Sequence, residues 1–194
     1  MKSGPRWRVA VVDDHAPSRA ALRAAVAEAG GEVVGEAQRS AEALAMVTRA
    51  RPDVAIFAVG LPDGDGVAAA AGVTTATNCP VVLFTSHTGD DFVERARAAG
   101  VMAYLLKPLR PAELAPALDV AIARFKENRQ LRQTLEGRKI IERAKGMLMA
   151  RFGLTEEEAF RRLRRAAMDS RKPMVEIARA LLVSESVARG VPTE

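Results

Sequence analysis

Four apolar runs in the first half of the chain each end on a residue that sets what that end can do. Arg8-Val9-Ala10-Val11-Val12 leads into Asp13-Asp14, Val81-Val82-Leu83-Phe84 into Thr85, and Tyr104-Leu105-Leu106 into Lys107-Pro108. Two carboxylates, a hydroxyl and an ammonium at one edge of a parallel sheet make a polar ligand site, because open α/β sheets bind ligands at the carboxyl ends of their strands. The remaining run, Asp53-Val54-Ala55-Ile56-Phe57, ends on Ala58 and turns through Val59-Gly60-Leu61-Pro62-Asp63-Gly64-Asp65-Gly66. A methyl group neither ionises nor attacks an electrophile. Asp63 and Asp65 lie beyond the turn at Pro62 and are poor replacements for an acid at that strand end. His15 and His87 fall in loops at the same end, where two histidines without a cysteine partner read as surface groups rather than a metal site. Arg19 and Arg23, one helical turn apart, read as a solvated face.

The second chemistry is charge. Net charge is +5, but residues 1–123 hold 12 Lys and Arg against 14 Asp and Glu, while residues 124–194 hold 17 against 10. Arg138, Lys139, Arg143 and Lys145 lie along one helix-like stretch, and Arg161, Arg162, Arg164 and Arg165 crowd the next. A near-neutral half joined to a basic half suggests a regulatory module and an anion-binding module. An arginine-rich solvated helical surface is the plainer alternative.

The elements that must position these residues are legible from the pattern. Strands are expected at Arg8–Val12, Glu32–Ala37, Asp53–Ala58, Pro80–Thr85 and Ala103–Leu106. Helices are expected at Pro17–Ala29, Ala41–Ala50, Val67–Thr77 and Asp90–Ala99, with a fifth from Pro111. Pro17 and Pro111 suit first helical turns, Ser40 suits an N-cap, and Gly30 and Gly100 suit helix ends. Five alternating βα units predict a doubly wound parallel sheet with right-handed crossovers.

From Pro111 to Phe152 only Pro116, with an expected kink, and Gly137 oppose a continuous helix. Leu118, Ala121, Phe125 and Leu135 fall on a heptad-like stripe suited to a short coiled coil with a second chain, or to a solvated helix. Ile141, Ala144, Leu148 and Phe152 follow at helical spacing, and Gly153 ends the run. Thr155 and Glu158 form a capping box for a helix presenting Ala159, Leu163, Ala166 and Ala167. Pro173 opens a last helix carrying Val175, Ile177, Ala178, Leu181 and Leu182. Gly146 reads as a close-packing position and Phe160 as core. The fold class is therefore an α/β doubly wound five-stranded parallel sheet, then a long linker helix and a small all-α three-helix domain.

Other classes are disfavoured. One cysteine, Cys79, precludes an internal disulfide framework and reads as a small buried core residue. The apolar run before Asp13 is too short for a signal peptide, and no stretch approaches the roughly 20 apolar residues of a membrane helix, so a cytoplasmic protein is expected.

The ordered set Asp13-Asp14, Leu61-Pro62-Asp63-Gly64-Asp65-Gly66, Thr85 and Lys107-Pro108 resembles the receiver domain of two-component response regulators. That resemblance implies a flavodoxin-like fold, a sensor histidine kinase as partner and a bound magnesium-class cation. It makes Ala58 the position of the phosphoacceptor aspartate, Asp14 a direct and Asp13 an indirect metal ligand, and Gly60 a carbonyl donor. Thr85 would be the switch hydroxyl, Tyr104 the switch aromatic and Lys107 the charge partner. With Ala58 the cation should bind weakly or not at all, Lys107 should turn to Asp13 or Asp14, and the chain is either a receiver that has lost its acceptor or a phospho-blocked variant.

Ala144-Lys145-Gly146-Met147-Leu148-Met149, followed by Ala159-Phe160 and Leu163-Arg164, is similar to the ANTAR domain of transcription antitermination regulators. This resemblance implies hairpin RNA in nascent transcripts as ligand and a homodimer, and with the nucleophile missing from the one reactive pocket no enzymatic activity is expected. The three segments are then a receiver at 1–123, a helical linker at 124–137 and an RNA-binding domain at 138–194. A DNA-binding response regulator and a protein-interaction adaptor are the alternatives.

Overall fold

A computed structural model describes residues 5–86 and 89–188, the side chains of 90–93 and 188 excepted. His87 lies outside the described residues. The chain divides into two compact units, residues 1–127 and 128–194.

The first unit is built on strands β1 (Arg8–Val12), β2 (Glu32–Ala37), β3 (Val54–Ala58), β6 (Val81–Thr85) and β7 (Ala103–Leu106), with a two-residue hairpin, β4 (Gly60–Leu61) and β5 (Gly64–Asp65), after β3. The five long strands form one parallel sheet in the order β2-β1-β3-β6-β7. Helices α1 (Ala16–Glu28), α2 (Ser40–Ala50), α3 (Gly66–Thr77), α4 (Asp90–Ala98) and the start of α5 (Pro111–Phe152) connect or follow them. β1, β3 and β6 read as unbroken apolar runs because helices cover both of their faces. On one face Ala10, Val12, Phe57 and Leu83 pack with Met46 and Val47 of α2 and Val67 and Val73 of α3. On the other, Val9, Val11, Ile56 and Phe84 pack with Leu22 and Val26 of α1 and Leu114, Leu118 and Ala121 of α5. Leu118 and Ala121, expected on a coiled-coil stripe, are thus spent inside this core.

Consecutive connections leave β1 towards β2 and β3 towards β6, so the strand order reverses between β1 and β3. That reversal opens the crevice in which such sheets hold ligands. The turn after β3 is fixed tightly. A Cβ on Gly66 would lie 1.9 Å from the Ala58 carbonyl oxygen, so only glycine lets the chain pass here.

Ser40 does not cap α2. Arg39 holds the N-cap position without a side-chain bond, and Asp63 from the hairpin accepts the Ser40 and Ala41 backbone N–H groups at 2.8 and 3.0 Å. Asp65 caps α3 by accepting from the Val67 N–H at 2.9 Å and also pairs with Arg95. The two acids past Pro62 are therefore structural.

In the second unit, the remainder of α5, α6 (Glu156–Ser170) and α7 (Met174–Ala188) enclose Ala144, Leu148, Ala159, Leu163 and Ala178. Helix α5 continues through Pro116 and Gly137 to Gly153, whose φ of 65° ends it. Both bonds of the Thr155–Glu158 capping box are present. Three side-chain expectations are corrected. Phe152 and Phe160 are 48% and 38% exposed, since the core is closed there by Leu154 and Leu163, and Gly146 faces open space.

The bonds from Ala41 and Ser40 hold the Asp63 carboxyl down, from 3.8 to about 2. A depressed carboxyl contributes stability that is full above its unfolded pKa and is lost as pH falls through its folded one. Between pH 4 and 2 the first unit should therefore lose stability through Asp63. Urea melts across that window should show a flatter pH dependence for Asp63→Asn than for the unsubstituted chain.

Candidate functional site

Asp13 follows β1 and is fully buried, and a buried carboxylate needs partners. Both of its oxygens have one. Oδ1 accepts the His15 backbone N–H at 2.8 Å, and Oδ2 accepts the Lys107 ammonium at 2.8 Å. Lys107 also lies over the Phe84 ring, 4.9 Å from its centroid. Asp14 and Gly60 are exposed at the same edge, Thr85 is buried at the end of β6, and Tyr104 of β7 is 47% exposed. Ala58 ends β3 beside these groups, 1% exposed and part of the apolar core. The strand ends thus bring Asp13 and Lys107 into contact, while β3 supplies only a methyl group.

Arg19 is not a solvated residue. Its Nη1 donates to the Asp13 and Asp14 carbonyl oxygens at 2.8 and 3.0 Å, and its Nε pairs with Glu36 at 3.3 Å. It ties the acidic loop to β2, a role that sequence spacing does not reveal because its partners are backbone oxygens and a distant glutamate. Arg23 stays largely exposed and pairs with the other Glu36 oxygen at 3.2 Å. His15 occupies the N-cap position of α1, with Nδ1 2.9 Å from Ser18 Oγ.

A magnesium-class cation asks for near-octahedral oxygen coordination and usually one or two free carboxylates. Here both Asp13 oxygens are engaged, the Asp14 carboxylate forms no ion pair among the described residues and the Ala58 side chain has no donor atom. Among the described residues no group of three or more His, Cys, Asp or Glu converges. These residues do not fit the cation that the resemblance implies. Cys79 is buried elsewhere, and burial pushes its thiol up to about 12, which leaves it unreactive.

In the helical unit, Arg138, Lys139 and Arg143 of α5 are exposed, as are Arg161, Arg162, Arg164 and Arg165 of α6. Lys139 faces Glu136 at 3.9 Å, a loose surface pair. Arg161, Arg164 and Arg165 form no ion pair among the described residues, and Met168, 68% exposed, lies one turn beyond Arg164 and Arg165. Buried Ala159, Leu163 and Ala167 define the opposite side of α6, so these arginines point outward.

Lys145 breaks the expected cationic row. It is 7% exposed, and its ammonium donates to both Glu142 oxygens at 2.9 Å and to Glu156 Oε1 at 2.7 Å. The bond to Glu156, then that to Glu142, raises the Lys145 pKa, and the same contact lowers that of Glu156. Its charge is neutralised inside the fold and joins α5 to the first turn of α6. Glu142, three residues upstream on the same helix face, was the available signal.

Known proteins match both units. Residues 9–119 match the response regulator receiver domain and residues 129–182 the ANTAR domain. The transcriptional regulatory protein PdtaR of Mycobacterium tuberculosis is 40% identical over 182 residues, covering 90% of this chain and 89% of that protein. The nitrate regulatory protein of Klebsiella oxytoca is 50% identical over 64 residues, 33% of this chain and 16% of its own. Among solved structures, the receiver domain of the putative response regulator NarL from M. tuberculosis superposes with a TM-score of 0.55 at 34% identity, covering 60% of this chain and 97% of that one. The flavodoxin-like sheet, the matching profiles and the full-length relative together place the chain in the response regulators that join a receiver to an ANTAR domain, a regulatory and non-enzymatic family.

Proposed function

We propose that this chain is an RNA-binding transcription antiterminator whose receiver no longer takes a phosphoryl group. The observation that carries the reading is the outward arginine face of α6, Arg161, Arg164 and Arg165, in the unit that matches the ANTAR domain. Phosphates of folded RNA would meet guanidiniums there that form no ion pair among the described residues, which gives salt-dependent affinity, while unpaired loop bases supply sequence discrimination. Arg138, Lys139, Arg143 and Arg162 are further exposed cations of this unit; Lys145 is not.

In the receiver, residues 1–123, Ala58 stands at the phosphoacceptor position. Lys107 places its ammonium on Asp13, so the acidic pocket carries an internal cation. Asp14 and Gly60 are the remaining oxygen donors, and magnesium binding is weak at best. Thr85 and Tyr104 keep the switch positions without a phosphoryl group to read. A sensor histidine kinase can dock on such a receiver but cannot transfer its phosphoryl group to Ala58.

Residues 124–137 act as the helical linker to the RNA-binding part at 138–194. Leu131 and Leu135 are 58% and 48% exposed on it, apolar surface that a homodimer would cover. Two copies would engage two hairpins with the gain of effective concentration. No helix among the described residues is long and apolar enough to cross a membrane, which is compatible with work on nascent transcripts in the cytoplasm.

The full chain should select RNA hairpins from a randomised-loop pool in preference to duplex DNA or an acidic protein. Arg164→Gln should weaken that binding and reduce the slope of log affinity against log salt by about one. Lys145→Met should leave the slope unchanged even if affinity falls. Enrichment of duplex DNA instead of hairpins would reject the reading. Acetyl phosphate with magnesium should add no phosphoryl mass to the chain, and Ala58→Asp should restore the adduct. An acid-stable or hydroxylamine-labile adduct on the unsubstituted chain would reject the silent receiver.

A further inference from the structure

The corner between α5 and α6 leaves an aromatic ring outside the core. Phe152 is the last residue of α5, and helical spacing aligns it with Ala144 and Leu148. Gly153 then turns the chain, and Leu154 rather than Phe152 packs against the buried cluster of this unit. The Phe152 side chain remains 48% exposed. The Arg162 guanidinium reaches over its ring from α6, 4.6 Å from the centroid, and that of Arg151 lies 5.5 Å from it. Neither arginine forms an ion pair among the described residues. Met149, one turn back, adds exposed apolar surface beside it.

A half-exposed ring with two guanidiniums close to it, neither in an ion pair among the described residues, suits one kind of occupant. Nucleobases stack on aromatic rings and on guanidinium planes, and the phosphates beside a stacked base satisfy the arginine charges. An acidic protein would satisfy the charges but leave the ring without a flat partner. The corner is also held rigidly, because the Lys145–Glu156 bond pins the first turn of α6 to α5 just beneath it in sequence. A preformed ring loses little freedom when a base stacks on it.

We propose that Arg151, Phe152 and Arg162 form a stacking site for one unpaired base of an RNA loop. The inference rests on the RNA-binding reading above and adds to it the place where loop sequence is sensed. The arginines of the outward α6 face then hold the phosphates, and Phe152 distinguishes a loop from a bare stem.

The test uses the full chain and a hairpin selected from the randomised-loop pool, with 2-aminopurine placed at successive loop positions, and the same stem as a blunt duplex. Phe152→Leu should weaken hairpin binding roughly 10- to 100-fold, the range expected for loss of one stacked base. It removes no charge, so the salt slope and duplex affinity should not change. Phe152→Trp should retain hairpin affinity, and the indole emission it adds to that of Trp7 should be quenched by the hairpin and not by the duplex. Equal hairpin affinity of Phe152→Leu and the unsubstituted chain overturns the stacking site, as does an indole in Phe152→Trp that responds to both ligands alike. Failure of the pool to yield any salt-sensitive hairpin ligand overturns the RNA reading itself, a separate result from the loss of the stacking site.

Discussion

A charge removed from water must find a partner, and each unit of this chain is organised around one such charge. In the receiver it is Asp13, fully buried, whose two oxygens are shared between the His15 N–H and the Lys107 ammonium. In the helical unit it is Lys145, held by Glu142 and Glu156. Removing Lys107 would leave the buried Asp13 carboxylate stranded, and removing both glutamates would do the same to Lys145, so the buried member of each cluster specifies geometry. The Asp13–Lys107 pair joins the ends of β1 and β7 across the sheet edge. The Lys145 cluster sets the start of α6 against α5. What remains outside each pair is what can act on other molecules.

The consequence for the receiver follows from the composition of its edge. Three carboxylates in close quarters repel one another, and a divalent cation relieves that repulsion. With Ala58 at the end of β3 the repulsion is reduced, and a single ammonium suffices to balance Asp13. Both oxygens of Asp13 then have their partners within the protein. Arg19 adds to this by holding the Asp13 and Asp14 carbonyl oxygens, which fixes the loop that would otherwise be free to adjust. A conformational equilibrium can be shifted by a ligand only as far as the ligand distinguishes the two states. On the proposed reading, with Ala58 at the acceptor position, control of the helical unit comes from elsewhere than acyl phosphate chemistry.

Much of this was legible in the sequence, and the reasons it was are physical. Strands buried on both faces produce apolar runs with polar ends, so the runs before Asp13, Ala58, Thr85 and Lys107 marked both the sheet and its ligand edge. The Thr155–Glu158 box was legible because its two partners are three residues apart. Contacts between residues distant in sequence were not. Asp63 caps a helix 22 residues upstream, Arg19 reaches Glu36, and Lys145 reaches Glu156, so each appeared as a free charge in the linear pattern. Phe152 and Phe160 failed for a different reason. Periodicity tells which side of a helix a residue occupies, but not whether a neighbouring element extends far enough to cover it.

That last distinction bears on how the basic unit could read RNA. Counting Lys and Arg treats every cation as equivalent, whereas the structure separates them by what already neutralises them. Lys145 is spent internally, Lys139 is loosely shared with Glu136, Arg161 lies in the field of Glu158 without an ion pair, and Arg164 and Arg165 form none among the described residues. Phosphate contacts alone carry no sequence information, so an arginine face by itself would bind stems and loops of any sequence. Discrimination requires a surface that senses a base, and in this unit the exposed ring at the α5–α6 corner offers one with its charges already in place. Affinity and selectivity would then reside on different side chains, the first screened by salt and the second largely indifferent to it.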